Sequence, residues 1–170
     1  MSEADNEIDD FLRESNAIEG VYDDGSLKQA RRAWNNLLKY DQLTEGALLK
    51  THKILMLNQP LTPDAKGYFR RVPVFIGGRE GLEVSLIAQS IKQWLLNAND
   101  IIVNGKNEDR GFLERMIKKH HVVYELIHPF VDGNGRTGRI FMNWQRIRLG
   151  FPILVIRAGE EQQEYYKWFK

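Results

Sequence analysis

Apolar residues recur every three to four positions along most of the chain, the spacing that places side chains on one face of an α-helix. The segments that show it are 5–19, 27–40, 44–57, 83–98, 109–127, 135–149 and about 160–169. All four tryptophans stand in phase with the apolar positions of their segments, so we expect their rings in or near the core. The pattern predicts an all-α fold.

Turn-forming residues indicate where several of these helices begin and end. Ser26 follows the turn sequence Asp23-Asp24-Gly25, and its hydroxyl is expected to cap the helix over 27–40. Thr44 is expected to cap the third helix in the same way. Helices should end at Asn58-Gln59-Pro60 and at Gly150-Phe151-Pro152, because proline cannot continue a helix.

One segment interrupts the helical pattern. Residues 67–78 read GYFRRVPVFIGG, rich in Tyr, Phe, Val and Ile and bracketed by glycines, which predicts extended chain in a small β-hairpin. Pro73 restricts it to a sheet edge or a bulge. The hairpin could simply patch the helical core. We favour an exposed edge that pairs with an extended segment of another protein.

The densest chemistry lies in residues 128–139, which read HPFVDGNGRTGR. His128 can accept a proton near neutral pH. Asp132 offers carboxylate oxygens of the kind that Mg²⁺ prefers. A general base and a metal ligand four residues apart are typical of phosphoryl or nucleotidyl transfer.

The same segment carries groups suited to phosphate. Gly133 and Gly135 permit backbone conformations that turn N–H groups inward as an anion nest. Arg136 and Arg139 supply planar, permanently charged guanidinium groups. A helix is predicted to begin at residue 135, so phosphate would also meet a helix N-terminus.

Two other interpretations of this loop are weaker. It could be only a turn and a helix cap around a core histidine, but that does not explain why the base, the carboxylate and both arginines occur together. It could be a Walker loop, because Gly133 and Gly138 have the required spacing. The next residues are Arg139 and Ile140 instead of Lys and Ser or Thr, so that motif fails.

Composition narrows the function classes. The chain has 170 residues, with 24 Lys and Arg against 23 Asp and Glu, so charge indicates neither a nucleic-acid nor a membrane partner. It has no cysteine, which excludes disulfides and suits a reducing compartment. Its first residues are acidic, unlike a signal peptide, and we expect a cytoplasmic protein. His52, His120 and His121 are expected to be packing residues, since nothing completes a metal site.

The segment from His128 to Arg139 resembles the signature of the Fic family, H-P-F-x-[DE]-G-N-G-R-x-x-R, at every fixed position. The resemblance extends from about Ser15 to Tyr166. It implies a compact helical domain with one β-hairpin flap, and an enzyme that transfers AMP from ATP to a Ser, Thr or Tyr hydroxyl of a target protein. The target would dock as an extended segment on the 67–78 flap.

Roles for individual residues follow from the resemblance. His128 is the expected general base and Asp132 the expected Mg²⁺ ligand. Arg136 and Arg139 would neutralise the β- and γ-phosphates, and the ring of Tyr165 could stack near the adenine. The full nucleotide site implied by the family comprises Asp132, Gly133, Asn134, Gly135, Arg136, Thr137, Gly138 and Arg139, with Val74, Phe75, Ile76 and Gly77 of the flap and Tyr165.

A second local pattern is Ser15-Asn16-Ala17-Ile18-Glu19-Gly20. Ser15 and Glu19 lie four residues apart, on one helix face, and taken alone Glu19 could be a solvent-exposed carboxylate at a helix end. The pattern is similar to the family's inhibitory helix, [ST]-x-x-x-E-[GN], whose glutamate pairs with the second arginine of the signature. The resemblance therefore implies an inhibitory segment at residues 1–20 and a Fic domain at 21–170, within one structural domain.

The alternatives stay within or near this chemistry. Glu19 could position water for the reverse reaction, which removes AMP from a modified target. A Doc-like phosphotransferase is disfavoured, because that branch typically has Lys where this chain has Arg136. An inactive nucleotide-binding module is disfavoured by the complete signature. Oligomer formation is possible.

Overall fold

The structure is a computed structural model that describes residues 3–170. Met1 and Ser2, the first positions of the predicted inhibitory segment and part of the acidic start, lie outside the described residues. The predicted all-α class with a small hairpin is confirmed. The elements are α1 (Glu3–Ile18), α2 (Asp24–Leu37), α3 (Glu45–Leu55), β1 (Phe75–Ile76), β2 (Arg79–Glu80), α4 (Ile87–Asn104), α5 (Arg110–Ile127), α6 (Asn134–Arg148) and α7 (Glu160–Tyr166).

The start of α2 differs from the prediction. Asp23 caps the helix, because its carboxylate accepts hydrogen bonds from the Ser26 backbone N–H at 2.8 Å and from the Ser26 hydroxyl at 2.6 Å. Asp23 precedes the helix by one residue, where a side-chain acceptor reaches the free N–H groups of the first turn. Thr44 caps α3 as predicted, accepting from Ala47 N–H at 3.1 Å.

The fourth helix begins later and ends later than its apolar pattern indicated. A short 3-10 turn at Val84–Leu86 precedes α4, which starts at Ile87 and continues to Asn104. Ala98 and Ile101 extend the buried stripe of Ile91 and Leu95, at the three-to-four-residue spacing that keeps a helix against the core.

The predicted extended segment is half of a hairpin. Phe75 pairs with Glu80 and Ile76 with Arg79, so the second strand lies beyond residue 78. Gly77 and Gly78 form the turn, with φ angles of 55° and 83°. Two consecutive residues of positive φ are what a tight type I′ hairpin turn requires. The glycines at 77 and 78 therefore reverse the chain and do not end the extended region.

The core is built around α6, which contacts α1, α3, α4 and α5. Phe141 and Trp144 of α6 are fully buried, and Trp34 and Trp94 are buried at 1% and 3% exposure, as their helical phase predicted. A second apolar cluster joins α6 to the C-terminal segment through Met142, Ile156 and Tyr165. Within residues 3–170, no helix combines the length and the apolar content needed to cross a membrane.

Candidate active site

His128 lies at the exact junction between α5 and the signature loop. It has φ 47° and ψ 63°, and it is the one non-glycine residue with positive φ among the described residues. Its backbone N–H still bonds to the Tyr124 carbonyl, so it ends α5 in the left-handed conformation that usually selects glycine. Such a conformation in a residue other than glycine costs free energy and is typical of functional sites.

The imidazole of His128 is oriented by one backbone contact. Nδ1 lies 3.1 Å from the Glu125 carbonyl oxygen. A carbonyl only accepts hydrogen bonds, so Nδ1 carries the proton and Nε2 is left as the acceptor. Burial lowers the pKa of His128 from its usual value, and the Glu125 carbonyl opposes this shift. The neutral ring that results is the form a general base needs.

The loop after His128 is closed by Asn134. The Asn134 carboxamide accepts from the Phe130 N–H and donates to the Phe130 carbonyl, both at 2.9 Å. The side chain therefore fixes the loop, and the predicted role of Asn134 in cradling phosphate would fall to its backbone. The first N–H groups of α6 lack intrahelical acceptors, so the turn at Gly133, with φ 81°, presents them together as an anion site.

Arg136 is buried without a full set of partners. Its residue exposure is 2%, and its nearest charged contact is Asp132, with 3.7 Å between Nη2 and Oδ2. Among the described residues, nothing accepts a hydrogen bond from its Nε or Nη1. A buried guanidinium with free donors is costly unless it meets an anion, so this geometry fits the predicted contact with phosphate.

Arg139 has the same 2% exposure but is bonded on every nitrogen. Nη2 donates to Oε1 of Glu19 at 2.7 Å and to the Ser15 carbonyl at 2.9 Å. Nε donates to the Ser15 hydroxyl at 2.9 Å, and Nη1 lies 3.4 Å from the hydroxyl oxygen of Tyr165. The predicted pairing of Glu19 with Arg139 is thus present, and Ser15 contributes two further bonds.

Glu19 also lies over the anion site. A Cβ placed on Gly135 would overlap Oε1 of Glu19, so the carboxylate packs directly against the first turn of α6. The chain leaves α1 there through Gly20, which has φ 70°, as a glycine after a helix end commonly does. In this structure a negative group therefore occupies space beside the donors that suit phosphate.

A buried polar cluster lies beneath Arg139. Burial raises the pKa of Glu125 to about 8, which the charge of Arg139 opposes. Burial likewise lowers the pKa of His121 to about 3. Nε2 of His121 lies 2.8 Å from the Tyr165 hydroxyl. Tyr165 is only 3% exposed and packs against His121 and Phe169, so stacking on adenine would require these neighbours to move.

Thr137 and Gly138, two of the predicted nucleotide-binding residues, are packed in the interior of α6. The Thr137 hydroxyl donates to the Gly133 carbonyl at 2.8 Å and lies 2.9 Å from the Tyr124 hydroxyl, with no exposed surface. A Cβ on Gly138 would overlap Oε1 of Glu125. Both residues face α5, and their nucleotide binding stays a prediction of the resemblance.

The flap residues are open to solvent. Phe75 is 74% exposed, while Val74 and Ile76 are half-buried and Gly77 is exposed at the turn. The paired strands are two residues long, so the outer edge of β1 keeps free backbone groups, as an edge strand does. These residues lie where the prediction placed them, on a hairpin with an accessible edge.

The sequence interpretation missed the contribution of His52. Its Nδ1 accepts from the Gly67 N–H and its Nε2 donates to the Asp132 carbonyl, both at 2.9 Å. Its ring stacks on Phe130 with 3.6 Å between centroids. Burial lowers the pKa of His52 to about 4, which preserves the neutral form that both bonds need. His52 therefore joins the flap segment to the signature loop, across eighty residues of sequence.

The carboxylate of Asp132 is the one predicted metal ligand. Its side chain is 56% exposed, and Oδ1 accepts from the Gly133 N–H at 2.6 Å. The described residues contain no group of three or more metal-binding side chains. A single accessible carboxylate fits Mg²⁺, which is commonly held by one or two carboxylates together with water and substrate phosphates.

Comparison with known proteins identifies a family. The Fic/DOC family model matches residues 42–145. The protein adenylyltransferase Fic of Culex quinquefasciatus is 30% identical over 166 residues, which are 94% of this chain and 29% of that protein. The Aedes aegypti protein of the same name is 29% identical over 165 residues, 94% of this chain and 30% of its own length. The chain therefore spans less than a third of these curated relatives.

Solved structures show the same fold. A Fic-domain-containing signaling protein from Bacteroides thetaiotaomicron aligns with a TM-score of 0.78 at 19% identity, over 96% of this chain and 70% of that one. Fic-1 from C. elegans aligns with a TM-score of 0.72 at 20% identity, over 98% and 57% of the two chains. The family model covers more than half of the sequence, and on this evidence the chain belongs to the Fic/DOC family.

Proposed function

We propose that this protein transfers AMP from ATP to a hydroxyl group of a target protein and that α1 restrains the transfer. The observation that carries the proposal is Arg136, a buried guanidinium with free donors on the helix that follows the signature loop. The same loop begins at His128, whose Nε2 is left as an acceptor. The curated relatives named protein adenylyltransferase support the same reaction.

The chemistry assigns one task to each group. Nε2 of His128 takes the proton of the target hydroxyl as its oxygen forms a bond to the α-phosphorus. The bond from the α-phosphorus to the bridging oxygen breaks, and pyrophosphate leaves. Arg136 and the N–H groups of the first α6 turn stabilise the negative charge of the phosphates. The flap edge holds the target's main chain by strand addition, which brings the hydroxyl to His128.

The proposal includes Mg²⁺ at Asp132. The exposed carboxylate and the phosphate-facing Arg136 form a site of the type in which the ion is shared between one protein ligand and the substrate. A bound Mg²⁺ neutralises phosphate charge and polarises the phosphoryl group. Asp132 holds its place through the Gly133 N–H and through the bond between its carbonyl and His52.

Restraint by α1 rests on the Glu19 contact. The carboxylate accepts a hydrogen bond from Nη2 of Arg139 and fills the space beside Gly135. A γ-phosphate at Arg139 would meet this negative charge at close range, and the two would repel each other. ATP would then sit with its α-phosphate displaced from in-line attack.

The reverse reaction is a second candidate, favoured by the position of the same carboxylate. The Glu19 side chain is 37% exposed while it contacts the anion site, so one oxygen can meet water beside a bound phosphate. In that role Glu19 would act as a general base that directs water at an AMP-modified residue.

Labelling with radioactive ATP tests the proposed function. Glu19→Gly should increase incorporation from α-labelled ATP in the presence of Mg²⁺, because Arg139 becomes free for phosphate. Glu19→Gln should show a smaller increase, and Glu7→Gln, which removes the same charge from an exposed position on α1, should match the parent. Label from γ-labelled ATP instead would identify a phosphotransferase, and no label from either donor in Glu19→Gly would refute transfer.

A further inference from the structure

Arg70 is a buried arginine at the base of the flap, with 3% of its surface exposed. Its guanidinium donates to main-chain carbonyl oxygens on both sides of the flap. Nη1 bonds to Val72 at 3.0 Å and Nη2 bonds to Leu82 at 2.5 Å. Val72 precedes the hairpin and Leu82 follows it, so one side chain is bonded to both ends of the hairpin.

The same side chain reaches the end of α5. Nε donates to the His128 carbonyl at 2.7 Å, and Nη2 lies 3.5 Å from the Ile127 carbonyl. The last carbonyls of a helix lack intrahelical donors and carry partial negative charge. A buried cation there satisfies them, and it also fixes the left-handed backbone of His128. The Arg70 N–H adds a bond to the Pro129 carbonyl at 2.8 Å.

An arginine suits this position better than other donors. The contacts point in several directions around one plane, which the five N–H donors of a guanidinium match. A lysine ammonium is a compact donor that reaches fewer of these oxygens at once. The flap also retains the His52 bond at Gly67 and the Arg70 backbone bond, so replacing the Arg70 side chain leaves other ties in place.

We propose that Arg70 is a positioning residue that couples the flap to His128, so that a hydroxyl held on the flap edge and the base Nε2 keep one fixed relation. This inference rests on the proposed transfer function. It assigns Arg70 no contact with the reacting atoms. Its effect passes through the Val72, Leu82 and His128 carbonyls, and it therefore predicts a loss of chemistry without a loss of ATP binding.

The first test does not depend on activity. The chain has no cysteine, so spin labels on Glu80→Cys at the flap and Lys119→Cys on α5 report a single distance. We expect a narrow distribution in the otherwise unchanged protein and a broad one with Arg70→Gln. Arg146→Gln is the matched control, because Arg146 is 6% exposed, lies near the end of α6 away from the flap, and donates to the Pro152 carbonyl. The distance distribution of this variant should stay narrow.

The second test uses the released enzyme. In the Glu19→Gly background, Arg70→Gln should slow single-turnover labelling on the order of tenfold to a hundredfold, while the Kd for ATP by calorimetry changes by less than about twofold. Arg70→Lys should recover part of the rate and Arg146→Gln should keep all of it. If Glu19→Gly itself incorporates no label, the proposed function is refuted. The role of Arg70 in holding the flap is then tested by the distance measurement alone.

Several outcomes would overturn the inference. An unchanged distance distribution in Arg70→Gln shows that the side chain does not hold the flap. A rate loss matched by an equal loss of ATP affinity shows a general defect of the site. Unfolding of both Arg70→Gln and Arg70→Lys, measured by circular dichroism, assigns the residue to fold stability and removes its positioning role.

Discussion

Arg136 and Arg139 lie three residues apart on α6 with equal burial, yet they meet opposite surroundings. Arg139 belongs to what we call the covered half of the site, with Glu125 and Tyr165 beneath it and Ser15 and Glu19 of α1 above. Arg136 belongs to the open half, with His128 and Asp132, where its Nε and Nη1 have no acceptor among the described residues.

The difference shows that α1 forms hydrogen bonds with only one of the two arginines, although the charge of Glu19 also reaches Arg136 and His128. While the helix is docked, the open half holds the proposed base, the proposed metal ligand and a guanidinium with two free donor nitrogens. The covered half has its cation neutralised and its polar groups bonded to each other. Under the proposed function, a phosphate could accept hydrogen bonds from Arg136 with α1 present, whereas full use of Arg139 would require Glu19 to leave. Restraint would thus act on the position of the nucleotide more than on its entry.

The largest expected effect comes from removing the base in the open half. In the Glu19→Gly background, His128→Ala should lower AMP transfer by roughly 10² to 10⁴ fold, the usual contribution of general acid–base catalysis. ATP binding by calorimetry should persist, because His128 supplies no phosphate donor. Transfer that continues at the Glu19→Gly rate would show that another group accepts the proton. The base would then not be the residue that we assign to the open half.

Helix positions and the signature loop could be predicted because their information is local. Three-to-four-residue spacing marked each long helix, and residues 128–139 contain their own turn, cap and charges. The same locality explains the errors at Asp23 and at Gly77-Gly78, where the choice between neighbouring turn residues depends on backbone angles. The pairing of Glu19 with Arg139, 120 residues apart, was accessible only through the family resemblance.

The long-range ties were not predictable from spacing. His52 and Asp132 are separated by eighty residues, and Arg70 and His128 by fifty-eight. Each of these contacts uses a main-chain carbonyl as acceptor. Every residue has one, so the sequence cannot show which carbonyl is used. The contacts of Thr137 and Gly138 with α5 were not predictable for a related reason, because they depend on how the two helices pack.

A smaller effect is expected from weakening the contact between α1 and Arg139 while the charge of Glu19 is kept. Ser15→Ala deletes the hydroxyl that accepts from Nε of Arg139 at 2.9 Å and keeps Glu19. A hydrogen bond to a charged group contributes about 1.5 to 3 kcal/mol, so the docking equilibrium of α1 should shift toward release. We expect α-labelled ATP incorporation to rise by roughly tenfold, below the increase in Glu19→Gly.

Two comparisons sharpen this measurement. Ser90→Ala on α4 removes a hydroxyl outside the site and should leave labelling at the parental level. Ser15→Ala combined with Glu19→Gly should label no more strongly than Glu19→Gly alone, because both changes release one helix. Equal incorporation by Ser15→Ala and the parent would mean that Glu19 restrains Arg139 without help from Ser15.

The smallest effect concerns a proton within the covered half. Burial raises the pKa of Glu125 to about 8, while its unfolded value lies near 4.5. Between these pH values the folded protein holds a proton that the unfolded chain releases, so this carboxyl makes stability fall as pH rises. Oε1 of Glu125 has no hydrogen-bond partner among the described residues, which agrees with an uncharged group.

Glu125→Gln removes this dependence while keeping nearly the same shape. The Tm of the variant should equal that of the parent at pH 4, below the unfolded pKa, and exceed it by several degrees at pH 8, since each unit by which the pKa is raised corresponds to about 1.4 kcal/mol. Scanning calorimetry at both pH values measures the difference, and Glu108→Gln, at an exposed position before α5, should show none. The lowered pKa of His52 acts equally in parent and variant, so it cancels. An absent Tm difference, or a higher Tm in the parent, would mean that the charge of Arg139 outweighs burial and that Glu125 is ionised. The covered half would then contain a second carboxylate that competes with Glu19 for Arg139.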